Sequence, residues 1–516
     1  MNTTTHPLVK IFEYDSKQSL VYDARQNMMF LLDNTDVPAM NEYLQSGEIS
    51  KSLDEEISSL NAKGLLLPGP LAYVDDSSEE AVQRKIDYFK NNILMRKFVL
   101  EVTERCNFMC KYCFNAHPEN NRHHTSRQMS LEIAKKSIDY YRSIYLAFYT
   151  KLDDAHKEML LEHFSPSIGY YGGEPTMNWS VVKESTEYFL SLDWEKYGIM
   201  RDNLRVTMNT NLSYMTPDFL EFIVKHNIML FASLDGIKEY NDSNRVDVRG
   251  NGTFDMAYSN LMKIKEYNEE YFRTQVSVLA VQSDDCDRVK NREFLEGLGC
   301  CLIQYLPQSP YNCFVSNPKS KTENMKQLEE GWIEEKLSLI AKYKDTDLDR
   351  CLSELTSLFY VDSILTDTPT SPEYKSVFIT CPMGFDNIMI GVDGEMHICH
   401  KTDGSMPFGN VQTGIDMKEL KELYTKFIDS TNKIECRSCW AFRFCPLCGA
   451  TRMNKGKFNN PTETECDYYR QDASSNIRLL IAIYKKYPEL IEKIIEYKGN
   501  LSHYKSIVDY NAFIKR

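Results

Sequence analysis

The chain has 516 residues, 42% of them hydrophobic, with a formal net charge of −14 and an isoelectric point near 5.4. That length allows several domains with sizeable cores, while the acidic balance excludes a nucleic-acid partner, which needs a basic surface. No stretch nears the roughly 18 apolar residues of a membrane span, and residues 1–10 lack the apolar core of a signal peptide, so a cytoplasmic protein with no membrane partner is the expectation.

Residues 8–31 read as extended, with Val9, Ile11, Leu20, Tyr22, Met28, Phe30 and Leu31 as the apolar positions and turns near Asp15 and Arg25. Two amphipathic helices follow at 37–44 and 53–63, and Gly64 ends the second as a C-cap does. The acidic run 75–80 reads as the start of a connecting helix. From residue 97, apolar runs at 98–102, 167–171, 205–208, 229–234, 275–281 and 301–306 alternate with longer helical segments. This is the alternation of a parallel sheet or barrel. Residues 317–375 are mostly helical and charged. The cysteine-rich stretch 381–466 has few long periodic segments, so metal sites are expected to hold it in place of a large core. A helical tail rich in Ile, Leu and Tyr follows.

Fifteen cysteines are many for a chain without an export signal, and most sit at ligand spacings, which favours metal binding over disulfides. Cys106, Cys110 and Cys113 directly follow the apolar run 98–102. Three thiolates on one loop can hold three irons of a 4Fe–4S cluster and leave the fourth without a protein ligand. A zinc site short of one ligand would have the same thiols.

The spacing C-x3-C-x2-C resembles that of the radical S-adenosylmethionine (SAM) superfamily, in which the open iron chelates SAM. Further motifs follow in order. Tyr112 precedes the third cysteine, where the family places a side chain near the adenine. Gly172, Gly173, Glu174 and Pro175 are similar to the GGEP motif that receives the SAM amino group, with Glu174 as the expected acceptor and the glycines letting the backbone approach the ligand. Thr210 and Asn211 resemble the family's Thr-Asn-Gly, although Leu212 replaces the glycine. Ser233 and Asp235 end the next strand, and Arg245 lies beyond; the resemblance implies that Ser233 and Arg245 hold the ribose and carboxylate of SAM. All lie at C-terminal strand ends, where α/β barrels put their chemistry.

The later cysteines resemble the SPASM domain of peptide-modifying radical SAM enzymes. The resemblance implies one auxiliary cluster on Cys381, Cys399 and Cys448 and another on Cys436, Cys439, Cys445 and Cys466, giving three 4Fe–4S clusters in all. Two departures stand out: the last pair is C-x2-C where the family often has C-x3-C, and no cysteine closely follows Cys381. The first auxiliary cluster is therefore expected to keep an open iron, unless Cys313 completes it. Cys300 and Cys301 begin an apolar run and read as core. His117, His123 and His124 read as a polar loop, with substrate contact as the other reading.

The expected architecture is α/β: a winged-helix-like domain over 1–80 that binds a leader peptide by sheet augmentation, a partial (β/α)6 radical SAM barrel over 90–315, a helical linker over 316–375, and a SPASM domain with helical tail over 376–516. The implied enzyme cleaves SAM reductively and forms a thioether from cysteine sulfur to carbon in a ribosomally made precursor peptide. Its electron donor would be of low potential, such as flavodoxin or ferredoxin. Other carbon–carbon crosslinking maturases stay open. An anaerobic sulfatase-maturating enzyme is the alternative, but that family has an aspartate after the cysteine matching Cys399, where this chain has His400. A non-catalytic iron–sulfur or zinc-binding protein would share the cysteines but has no use for the SAM-site matches.

Overall fold

The computed structural model describes residues 6–494 apart from 71–76, 116–122, 308–324, 356–382 and some shorter stretches. Cys313 and Cys381 lie outside the described residues.

The N-terminal unit is an antiparallel meander of β1 (Val9–Glu13), β2 (Gln18–Asp23) and β3 (Met28–Asp33), followed by helices Val37–Ser46 and Asp54–Ala62. Strand alternation gives this sheet two apolar faces. Val21 and Leu32 pack with Met40, Tyr43 and Ile57 of its own helices. Leu8, Phe12 and Tyr22 pack instead on Ala441, Phe442 and Phe444, and on the helix Glu463–Lys486 through Ala473, Ile477 and Leu480. The first unit is thus cemented to the cysteine-rich region by a shared core.

Next come β4 (Lys97–Thr103), β5 (Ser167–Gly172), β6 (Arg205–Thr210), β7 (Met229–Ser233), β8 (Val276–Gln282) and β9 (Leu302–Pro307), each parallel to the one before. Phe98, Val99, Leu100 and Val102 are all buried in β4, as a parallel strand covered on both faces requires. The helices Leu131–Tyr149, Trp179–Ser191, Pro217–Lys225, Phe254–Tyr267 and Arg288–Glu296 lie between the strands in chain order. This is the partial (β/α)6 barrel that the alternation predicts.

The sheet does not stop there. β10 (Asn387–Ile390) pairs in parallel with β4, Ile388 opposite Phe98, and β11 (Met396–His397) pairs antiparallel on β10, making eight strands. The cysteine-rich region is therefore not held by metal sites alone. Phe385, Ile388, Ile390, Phe408, Leu420, Tyr424 and Phe427 belong to the main core. The helix Met417–Thr431 buries Leu420, Leu423, Tyr424, Phe427 and Ile428, a spacing of one helical face. The expected connector, helix Glu79–Asn92, sends Val82, Ile86 and Phe89 into the same core. Cys301 is exposed and Cys300 only partly buried, so the pair does not form core as expected, whereas Cys286 and Cys351 are buried. Among the described residues, no helix is long and apolar enough to cross a membrane.

Candidate functional site

β4 delivers the loop bearing Cys106, Cys110 and Cys113 to the C-terminal rim of the barrel. The loop is zipped to the segment beyond β7: Met109 N–H donates to the Val246 carbonyl (2.8 Å) and Lys111 N–H to that of Asn244 (2.9 Å). Asn107 Oδ1 accepts from Asn211 Nδ2 (2.9 Å), tying the loop to the end of β6. Burial pushes the Cys106 thiol up to about 12 and the Cys110 thiol up to about 11, and neighbouring cysteines add to both shifts. Such thiols give up their protons to a metal group whose positive charge replaces them. Three thiols on one pre-shaped loop fit a 4Fe–4S cluster held through three irons. Of the histidines, His124 folds back: its Nδ1 donates to the Glu104 carbonyl (3.1 Å) and its Nε2 lies 3.9 Å from Cys113 Sγ.

The Gly172–Pro175 segment is built into the frame of the site. Gly173 N–H donates to the Thr103 carbonyl (2.8 Å) and Glu174 N–H to that of Arg105 (2.7 Å). A Cβ on either glycine would lie 2.1 Å from one of those carbonyl oxygens, and Gly172 has φ 145°. The glycines therefore let the end of β5 press against the start of the cysteine loop, a role in building the site. Glu174 is 1% exposed. Its Oε1 accepts from Thr176 N (3.2 Å), Thr176 Oγ1 (2.7 Å) and Thr210 Oγ1 (2.8 Å), and its Oε2 from Asn211 N (2.7 Å). Burial raises the pKa of this carboxyl against the pull of those hydrogen bonds. The side chain ties the ends of β5 and β6 together. Gly173→Ala is expected to lose about 1–3 kcal/mol of stability to overpacking, read as a lower urea midpoint of the metal-free protein.

Asp235, just past β7, sits between Tyr112 and Arg245. The Tyr112 hydroxyl donates to Asp235 Oδ2 (2.6 Å), Arg245 Nε lies 3.0 Å from Oδ1, and the Arg245 guanidinium is 5.4 Å from the Tyr112 ring centre. Burial works against the Arg245 charge, but Asp235, Tyr112 and Cys110 outweigh it and raise its pKa. With its remaining N–H groups Arg245 can hold an anion beside the cysteine loop. Ser233 closes β7 on the same rim. Leu212, which stands where the family motif has glycine, is in the left-handed region, φ 62°, while fully buried.

The C-terminal cysteines lie close enough to act on one another's charge. Burial pushes Cys436 and Cys466 up to about 11; Cys445 and Cys439 add to the first shift, and Cys436, Cys445 and Cys439 to the second. Cys399 is raised by burial and then by Cys448. A cavity of about 350 Å³ is lined by Cys436, Cys439, Cys445, Cys448 and Cys466. Among the described residues no three His, Cys, Asp or Glu side chains converge as one metal ion requires. Thiols set around a cavity suit a polynuclear group. The Cys399 turn meets the barrel directly: the His400 ring lies 4.8 Å from the Tyr171 ring at the end of β5. Arg127 also bridges Glu104 (3.2 Å) and Asp393 of the β10–β11 turn (3.1 Å). Thr176 and Asp393 carry no motif that would single them out.

A barrel rim with three thiols and a buried arginine, with a cysteine-rich domain at its edge, is similar to the site of radical SAM enzymes. The chain carries the radical SAM superfamily domain over residues 100–281 and the SPASM iron–sulfur cluster-binding domain over 381–440. That family implies SAM and iron–sulfur clusters as cofactors. The chain is 22% identical over 413 residues to the cysteine-type anaerobic sulfatase-maturating enzyme of Clostridium novyi, covering 74% of this chain and 95% of that one. It is 22% identical over 266 residues to the radical SAM cyclopropyl synthase TigE of Paramaledivibacter caminithermalis, covering 51% of this chain and 48% of that one. The structure of native anSMEcpe with bound AdoMet shares the fold, with a TM-score of 0.50 at 18% identity over 76% of this chain and 99% of that one.

Proposed function

We propose that this enzyme modifies a ribosomally made peptide, joining a cysteine sulfur to carbon as a thioether. The observation that carries this reading is the contact of His400 with Tyr171, which sets the Cys399 turn at the barrel mouth beside the GGEP segment. A group on Cys399, Cys448 and Cys381 would then border the substrate. SAM, bound beside the cluster of Cys106, Cys110 and Cys113, supplies a 5′-deoxyadenosyl radical on reduction. Tyr112 would flank its adenine, Glu174 of the Gly172–Pro175 segment would receive its amino group, Ser233 would hold its ribose, and Arg245, held by Asp235, would take its carboxylate, with Asn211 on the same rim. In the coupling, a substrate carbon loses a hydrogen atom to that radical and the cysteine thiol loses a proton to solvent. The sulfur–carbon bond would then form, and Cys399 and Cys448 with Cys381 would hold the auxiliary group that supplies an acceptor for the electron left over. With three clusters the loaded protein holds about twelve irons, four per cluster, and takes its electrons from a low-potential flavodoxin or ferredoxin.

The similarity to sulfatase-maturating enzymes favours a second reading, in which the substrate is a sulfatase chain; His400 after Cys399 counts against it. The test is to incubate the reduced, reconstituted enzyme with SAM and a cysteine-bearing peptide encoded beside its gene. 5′-Deoxyadenosine and a product lighter by two hydrogens, with its thiol no longer alkylatable, are expected. Modification of a sulfatase-derived peptide alone would move the reading to the maturases.

In this reading the peptide's leader adds to β3, an edge strand on which Met28 and Leu31 are 43% and 45% exposed. Deleting residues 1–80 is a poor test, since it strips Leu8, Phe12 and Tyr22 from the C-terminal core. Leu31→Lys leaves that face intact and puts a charge on the edge. Leader affinity measured by fluorescence anisotropy is expected to fall about tenfold, roughly 1.4 kcal/mol, with peptide-free SAM cleavage unchanged.

A further inference from the structure

Arg452 ends the short helix Gly449–Arg452 and is 7% exposed. Its Nε and Nη2 donate to the Asn459 carbonyl (2.9 and 2.6 Å), and Nη2 also to that of Ser430 (3.2 Å). Nη1 is buried and has no hydrogen-bond partner among the described residues. Arg452 lines the cavity of Cys436, Cys439, Cys445 and Cys466. Burial lowers its pKa, while Cys436, Cys445, Glu465 and Cys466 act to raise it. The acid nearby, Glu465, is spent on the N-cap, accepting from Thr462 N (2.6 Å) and Thr462 Oγ1 (3.1 Å). Arg470, also on the cavity wall, is paired with Glu463 (3.1 Å) and Asp467 (2.6 Å). Arg452 has no such carboxylate among the described residues. A guanidinium cannot shed its proton, and burying a cation with a donor unspent is costly unless an anion faces it.

We infer that Arg452 is the electrostatic partner of an anionic iron–sulfur group held by Cys436, Cys439, Cys445 and Cys466, with Nη1 donating to a ligand sulfur and the charge favouring the reduced state. This rests on reading those four cysteines as cluster ligands. Each added electron deepens the negative charge facing Arg452, so a fixed cation there raises the reduction potential. Hydrogen bonds to cluster sulfurs act in the same direction. The remaining donors of Arg452 hold the guanidinium in the cavity wall through Asn459 and Ser430, with no carboxylate paired to it among the described residues.

The test uses the full chain carrying Cys106→Ala, Cys110→Ala and Cys113→Ala, so that only auxiliary iron contributes. It is titrated with a one-electron chemical reductant and followed by electron paramagnetic resonance. In Arg452→Gln the iron content is expected to hold. The ratio of reduced to oxidised cluster at the parent's midpoint is expected to fall at least tenfold, a shift of about 59 mV to more negative potential for a one-electron couple. Arg452→Lys, which keeps the charge, is expected to shift less. Unchanged midpoints with iron retained would overturn the role of Arg452 and leave the cluster reading standing; a parent without auxiliary iron would overturn that reading itself. Should Arg452→Gln fail to hold iron, parent protein labelled with 15N-arginine decides by electron–nuclear double resonance. A nitrogen coupling to the reduced cluster that vanishes in Arg452→Lys supports the proposal. Its absence from the parent, or its persistence in Arg452→Lys, overturns it.

Discussion

Replacing Cys106, Cys110 and Cys113 together with alanine is expected to remove about four irons per chain and to abolish SAM cleavage, while the iron bound by the C-terminal cysteines stays. The loss is all-or-none because the three thiols share one loop, and no single thiol can hold a cluster. The fold is expected to survive. The loop is shaped by backbone bonds from Met109 and Lys111 to Val246 and Asn244, and by Asn107 with Asn211, none of which uses a thiol. Iron and sulfide counts together with 5′-deoxyadenosine release check this. SAM cleavage persisting in the triple variant would place the radical chemistry elsewhere in the chain.

The second large effect concerns Asp235. Asp235→Ala is expected to cost about 3–5 kcal/mol, because it strands the buried Arg245 cation without its carboxylate. It also strips the acceptor from the Tyr112 hydroxyl and from the Val281 N–H, which donates to Asp235 Oδ1 at 2.9 Å. A second substitution, Arg245→Met, placed on top of Asp235→Ala, removes the stranded charge and is expected to recover much of that stability. Urea unfolding of the metal-free proteins reads both numbers. Arg245→Ala alone is expected to weaken SAM about ten- to hundredfold, through loss of a charge-assisted contact worth roughly 1.5–3 kcal/mol. Equal stability of Asp235→Ala and the parent would show that the pair carries no weight in the fold, and undiminished SAM affinity in Arg245→Ala would take the arginine out of the binding site.

The pairing of Asp235 with Tyr112 spans 123 residues, and that separation explains what a reader of the sequence can and cannot see. The GGEP stretch is legible as a motif, yet the partners of Glu174 lie on the next strand's end, at Thr210 and Asn211. The local string shows Glu174 as an acceptor; the fold adds that Thr176, Thr210 and Asn211 already donate to its carboxylate. The helix Met417–Thr431 buries one face, yet the stretch 381–466 reads as having few long periodic segments, because the density of cysteines draws attention to metal as the organiser of the whole region. Cys301 opens an apolar run and still faces out, because β9 begins at Leu302.

By itself, the sequence determined the features that depend on near neighbours. These are the strand–helix alternation of the barrel, the three-thiol loop after β4, and the spacings of the later cysteines. Backbone propensity, side-chain period and ligand spacing are all written within a few residues. Tertiary structure decided what those pieces meet. β10 joins the barrel sheet at β4, the N-terminal sheet shares a core with Phe442 and Phe444, and Arg452, which holds a buried unspent donor, lines the cysteine cavity. Those placements come from burying apolar faces against one another and from finding partners for buried polar groups. Both are properties of the assembled chain, with no period or spacing along the sequence to announce them.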